Sequence, residues 1–115
     1  MPNEFKIISN DAIPAVVNVY DVLYTVQSGS TLVVQKITLC NVLSSQTTAS
    51  LRVLSSTAHT GQNANQTVNI IKDVPIPSGS TFVIEKMNLN DGDVVQVTSS
   101  DASALDVTMH YMEQT

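Results

Sequence analysis

Charge is scarce in this chain of 115 residues: Asp, Glu, Lys and Arg make up 13%, about half the usual globular share. Only five residues are basic, Lys6, Lys36, Arg52, Lys72 and Lys86, none side by side, and the net charge is −5. A broad grip on nucleic acid needs clustered Lys and Arg to displace counterions, so that class of partner is excluded. Trp is absent, and the aromatics are Phe5, Phe82, Tyr20, Tyr24 and Tyr111, few for a module that stacks sugar rings. Cys40 is the sole cysteine, which removes an intramolecular disulfide framework and a Cys-based zinc site. Its neighbours, Leu39-Cys40-Asn41-Val42, place it as a small buried hydrophobe. The glycines, Gly29, Gly61, Gly79 and Gly92, lie too far apart to cradle a phosphate. No run approaches the roughly 18 apolar residues of a membrane span. The start, Met1-Pro2-Asn3-Glu4-Phe5-Lys6, lacks the basic and then apolar pattern of a signal peptide, so the expectation is synthesis and folding in a cytoplasm.

What is present is β grammar. Hydrophobic residues are 43% of the chain, enough for one core, and the length suits a single domain over 1–115. Polarity alternates with period two: Leu105, Val107, Met109 and Tyr111 interleave with Asp106, Thr108 and His110, which points the first set inward. Val68, Ile70, Val74 and Ile76 follow the same rule, interrupted at Lys72. Eight strands are expected, near 4–8, 17–26, 31–42, 48–55, 67–76, 81–89, 93–99 and 104–112. Ser28-Gly29-Ser30, Pro77-Ser78-Gly79-Ser80, Asn90-Asp91-Gly92-Asp93 and Ser99-Ser100-Asp101 supply turns between them. Short strands at this spacing predict an all-β, antiparallel, single-domain β-sandwich, Ig-like or jelly-roll-like. Residues 1–14 are read either as a strand of the domain or as an extended N-terminal arm reaching a neighbour.

An internal pseudo-repeat organises the chain. Residues 24–39 align without gaps on residues 74–89, sharing the Ser-Gly-Ser-Thr turn, a Val, a Lys and a Leu. After a four-residue slip, Ala49-Ser50-Leu51-Arg52-Val53 aligns on Ser103-Ala104-Leu105-Asp106-Val107. Each Ser-Gly turn is expected to reverse the chain so that its flanking strands pair, with Gly29 and Gly79 at positive φ.

Candidate chemistry is sparse. A nucleophile needs a His base within reach and a third group to orient it. His59 falls in a polar loop, and His110 on the solvent side of a strand, so no catalytic residue is assigned and the chain is read as non-enzymatic. The oxygen-rich Asn88-Leu89-Asn90-Asp91-Gly92-Asp93 does not have EF-hand spacing, and a plain turn accounts for it. No cofactor or metal ligand is assigned. The polar stretch 55–66 is as long as unstructured loops usually become, and such loops tend to be functional. Partner contacts are therefore placed at His59, Thr60, Gln62, Asn63 and Asn65, and at Phe5 and Ile7 of the N-terminal segment. The weakly charged run 31–35 is expected to be an edge open to strand addition.

Four segments carry a family likeness: residues 23–31 (Leu23-Tyr24-Thr25-Val26-Gln27-Ser28-Gly29-Ser30-Thr31), 37–41 (Ile37-Thr38-Leu39-Cys40-Asn41), 74–81 (Val74-Pro75-Ile76-Pro77-Ser78-Gly79-Ser80-Thr81) and 89–93. In this order the chain resembles small virion structural proteins of tailed bacteriophages, of the marine or cyanophage type, over about residues 22–112. The resemblance implies an Ig-like or jelly-roll sandwich, made in the host cytoplasm and carried in the virion. It implies a decoration or head/tail accessory role, in many copies and as a homo-oligomer, against capsid, neck or tail subunits. It brings no ligand or catalytic residue with it. The alternative is a carbohydrate-binding or adhesive module assisted by calcium at Asp91 and Asp93, which requires Tyr20 or Tyr24 to stand exposed.

Overall fold

The computed structural model describes residues 3–55 and 65–114. They form eight strands: β1 (Asn3–Ile13), β2 (Asp21–Thr25), β3 (Thr31–Asn41), β4 (Thr47–Ser55), β5 (Gln66–Ile76), β6 (Thr81–Leu89), β7 (Val94–Ser99) and β8 (Leu105–Gln114). Two antiparallel sheets result, a front sheet in the order β1-β8-β3-β6 and a back sheet in the order β2-β7-β4-β5. Between the two candidate sandwiches, this interleaved pair of four-stranded sheets is the jelly-roll arrangement.

The alternation that marks the strands also builds the core. Leu32, Val34, Ile37 and Leu39 of β3 and Val107, Met109 and Tyr111 of β8 turn inward onto Ala49 and Leu51 of β4 and Val95 and Val97 of β7. Fully burying one such aliphatic side chain contributes about 1.5–3 kcal/mol. The central strands therefore carry the stability, and the four outer ones are placed by them.

Several expectations are corrected. The N-terminal segment is a strand of the domain, paired with β8 from Asn3↔Gln114 to Ile13↔Leu105, and it runs well past residue 8. β2 starts at Asp21 rather than near 17, because Asn18 at φ 60° and the bond from Val19 N–H to Val16 O bend the chain there. Residues 31–35 are not an edge: β3 lies between β8 and β6. Val68 and Ile70 stand exposed, since β5 slips register between Leu51 and Arg52 of β4, and Ile71 takes the place opposite Leu51. Cys40 is half-buried on the outer side of the front sheet, between Asp106 and Thr81, because Leu39 takes the inward position.

The two Ser-Gly turns do not make hairpins. β2 and β3 belong to different sheets, as do β5 and β6, so each turn carries the chain across the sandwich. The turns are nevertheless equivalent. Ser30 N–H donates to Gln27 O and Ser80 N–H to Pro77 O, with Gly29 at φ 83° and Gly79 at φ 73°. Each is held from the far end of the other's strand. Asn41, the last residue of β3, exchanges backbone bonds with Gly79 and Ser80, and Asp91, after β6, accepts from Gly29 N–H. Reversing the strand order exchanges β2 with β5 and β4 with β7 in the back sheet, and β1 with β6 and β3 with β8 in the front sheet. The sequence repeat, which matches β3 to β6 and β4 to β8, therefore follows the fold in its turns and in the correspondence of β2 with β5, and not in the placement of its other strands.

A candidate protein-docking face

Inward alternation on β8 leaves Asp106, Thr108, His110 and Met112 facing outward, and strand register extends each into a row across the front sheet. Phe5, Met112, Val33 and Asn88 form one row, and Ile7, His110, Lys36 and Glu85 the next. Ser9, Thr108, Thr38 and Val83 follow, with the Thr38 and Thr108 hydroxyls hydrogen bonded. The apolar members are open to solvent: Phe5 is 72% exposed, Ile7 56%, Val83 47% and Val33 38%. Isolated exposed apolar residues need no explanation, but neighbours in one patch do.

The patch is contoured by an irregularity in β3. Gln35 is an extra residue against β8, where the register shifts between Val34 and Lys36, and Lys86 on the adjoining strand is at φ 51°. Two depressions meet at Gln35. One of about 450 Å³ is lined by Val33, Val34, Gln35, Lys86, Met87 and Asn88, and one of about 290 Å³ by Phe5, Lys6, Ile7, Gln35 and His110. Bulges of this kind re-aim side chains and are common beside functional surfaces.

The corner beneath Phe5 is held by charge. Lys6 turns inward and donates to Oε1 of buried Glu113 at 2.7 Å, and Tyr24 Oη donates to Oε2 at 3.5 Å. The Lys6 hydrogen bond holds the Glu113 carboxyl below its ordinary range, and the same bond raises Lys6. Burial, then the neighbouring Tyr111 and Glu113, push Tyr24 up to about 12. Tyr24 and Tyr111 lie with ring centroids 5.4 Å apart. This cluster ties β1 to β8 and to β2 of the other sheet, and so fixes the strand that carries Phe5 and Ile7.

The outer face of the back sheet is different in kind. Arg52 donates to Gln96 Oε1 at 2.7 Å and lies over the Tyr20 ring at 3.7 Å, and Thr98 donates to Val19 O. These side chains are committed to one another, although Val22 is exposed there.

Of the residues assigned to partner contacts, the structure brings Phe5 and Ile7 together. Asn65 is exposed just before β5, a strand of the other sheet, and does not join them. His59, Thr60, Gln62 and Asn63 lie outside the described residues. The tyrosines required by a sugar platform do not stand free: Tyr20 is covered by Arg52, and Tyr24 packs on Tyr111. Asp91 and Asp93 serve the turns, accepting from the backbone of Gly29 and Asn90. Among the described residues no group of three His, Cys, Asp or Glu side chains is gathered as a metal site. Val33, Val83 and Met112 were not singled out by sequence. Val33 sits in the unbroken run Leu32-Val33-Val34, whose facing is decided by strand register rather than by pattern.

No family model matches the chain, and neither the curated proteins nor the solved structures contain a match to it.

Proposed function

We propose that this chain is a non-enzymatic structural protein of a phage particle, docking on other virion subunits through the outer face of its front sheet. The observation that carries this reading is the contiguous row of exposed Phe5, half-buried Met112 and exposed Val33, with exposed Ile7 beside it, on a protein that is otherwise sparing in charge. A patch of that kind costs solubility unless a partner covers it. The jelly roll agrees with the role without establishing it, since capsid and lectin domains both use this architecture. The likeness of the Ser-Gly and Asn-Asp-Gly turns to those of small tailed-phage virion proteins adds the particle as the setting. A place on the head, neck or tail in several copies follows from that likeness.

The test is quantitative mass spectrometry of density-gradient-purified phage particles from a lysate in which the chain is made. The expected result is recovery of its peptides with the particles at a fixed multiple of the major capsid protein. Recovery only in the soluble fraction would overturn the reading.

A further inference from the structure

The four sheet edges differ in how they are closed to a further strand. β2 is five residues long and breaks register between Val22 and Tyr24. β5 contains Pro75, slips twice against β4 and holds Asp73 at φ 52°. β6 places Glu85 and Lys86 at its middle, the latter at φ 51°. Short length, proline, bulges and mid-strand charge are the means by which β-proteins prevent edge pairing. β1 uses only charge over residues 3–10, and there Glu4 and Lys6 lie 3.7 Å apart as a pair of opposite sign. It pairs with β8 there without a break, contains no Pro or Gly, and turns its one basic side chain, Lys6, inward to Glu113.

We propose that two copies of this chain join through β1, antiparallel about a two-fold axis at Ile7, so that their front sheets continue into one eight-stranded sheet. The proposal rests on the assembly reading above and names the first partner as a second copy. Charge and register select this arrangement. Centring the axis on Phe5 overlaps only residues 3–7, because β1 begins at Asn3. Centring it on Lys6 sets that lysine against the partner's Lys6, a destabilising like-charge pair. Centring it on Ile8 sets Phe5 against the partner's Asp11 and brings Ala12, at φ 53°, into the ladder. With the axis at Ile7, residues 3–11 overlap in full. Ile7 then meets the partner's Ile7, Phe5 the partner's Ser9, Glu4 the partner's Asn10 and Asn3 the partner's Asp11. No like charges face each other, and odd-numbered residues stay on the outer face in both copies. The two Phe5–Ile7 pairs merge into one apolar strip across the joint, and main-chain hydrogen bonds supply the adhesion, as in other strand additions.

The experiment uses the full chain carrying Cys40→Ser, so that an introduced cysteine is the only thiol. Ile7→Cys is expected to give a disulfide-linked dimer on mild oxidation, because directly opposed strand positions lie within disulfide reach. Ser9→Cys, opposite the partner's Phe5, is expected to stay monomeric under the same conditions. In light scattering the unsubstituted chain should be a dimer. Ile7→Lys, at an exposed position, should weaken association about tenfold or more with an unchanged circular-dichroism melt. A monomer at every concentration, or equal cross-linking at both positions, would overturn the pairing. A monomer that still joins particles would sink the pairing and leave the particle role standing, whereas a dimer absent from particles would do the reverse.

Discussion

Lys6 Nζ lies 2.7 Å from Oε1 of Glu113, whose side chain is only 4% exposed, and this one pair links the edge strand β1 to the inward face of β8. Its titration gives the fold a defined response to acid. The folded Glu113 titrates below its ordinary value of 4.5, so the stability it confers is present above that pH and is lost as pH falls through the lower folded value. Lys6 is shifted up from 10.5, and its share is present below that pH and lost only in strong alkali.

Lys6→Met removes the partner and leaves a carboxylate buried without its cation, the costly way to break such a pair. The variant should be less stable than the parent at pH 7, and the difference should shrink on going to pH 3, as acid titrates Glu113 toward its neutral form. Urea titrations at the two pH values check this. An equal difference at both would show that the pair carries no pH-linked stability.

Asn41 is fully buried, and its side chain closes the end of the sandwich where β3 meets the second Ser-Gly turn. Its amide donates to Ser45 O and Ile76 O, each at 2.9 Å, and its oxygen accepts from Leu43 N–H at 2.8 Å. Asn41→Ala strands those backbone groups and should cost about 1–3 kcal/mol in a denaturant titration. Asn41→Asp, which turns an acceptor onto two carbonyls, should cost at least as much at pH 7.

Gly29 and Gly79 sit in open space, with no heavy atom within 4 Å of where a Cβ would stand, so any penalty on substitution there is conformational. With φ at 83° and 73°, alanine should cost about 1–2 kcal/mol at either site. Asn, which tolerates this region better, should cost less. Thermal melts of Gly29→Ala, Gly79→Ala and their Asn counterparts provide the comparison, and near-equal losses at the two glycines would follow from the equivalence of the turns.

How much of this was legible in the sequence depended on whether a feature was local. Period-two alternation located the inward residues of β8, and the Ser-Gly turns located the boundaries of β3 and β6, because each depends on residues close in sequence. Strand partnership was not legible. The turn chemistry at Gly29 and Gly79 is the same whether the chain reverses within a sheet or crosses between sheets, and only the packing of the two layers separates these. For the same reason the sequence pattern alone reads β3 as an edge, and Val68 and Ile70 as core, since a register slip on β5 leaves no mark in the pattern. Phe5 and Ile7 were found from their place in the N-terminal segment. Their neighbours Val33 and Met112 are 28 and 107 positions from Phe5, and the rows that unite them exist only once β1, β8 and β3 are paired.

The central claim is that the front sheet's outer face is the docking surface, and the most direct measurement is an add-back binding assay. Purified chain is mixed with phage particles produced without it, and binding is read by co-sedimentation for the parent, for Phe5→Ser/Val33→Ser, and for Val22→Ser on the back sheet. The account predicts saturable binding of the parent and of Val22→Ser, with at least a tenfold loss for the front-face variant at an unchanged melting temperature. Equal binding by the front-face variant, or a parent chain that stays in the supernatant, would contradict it.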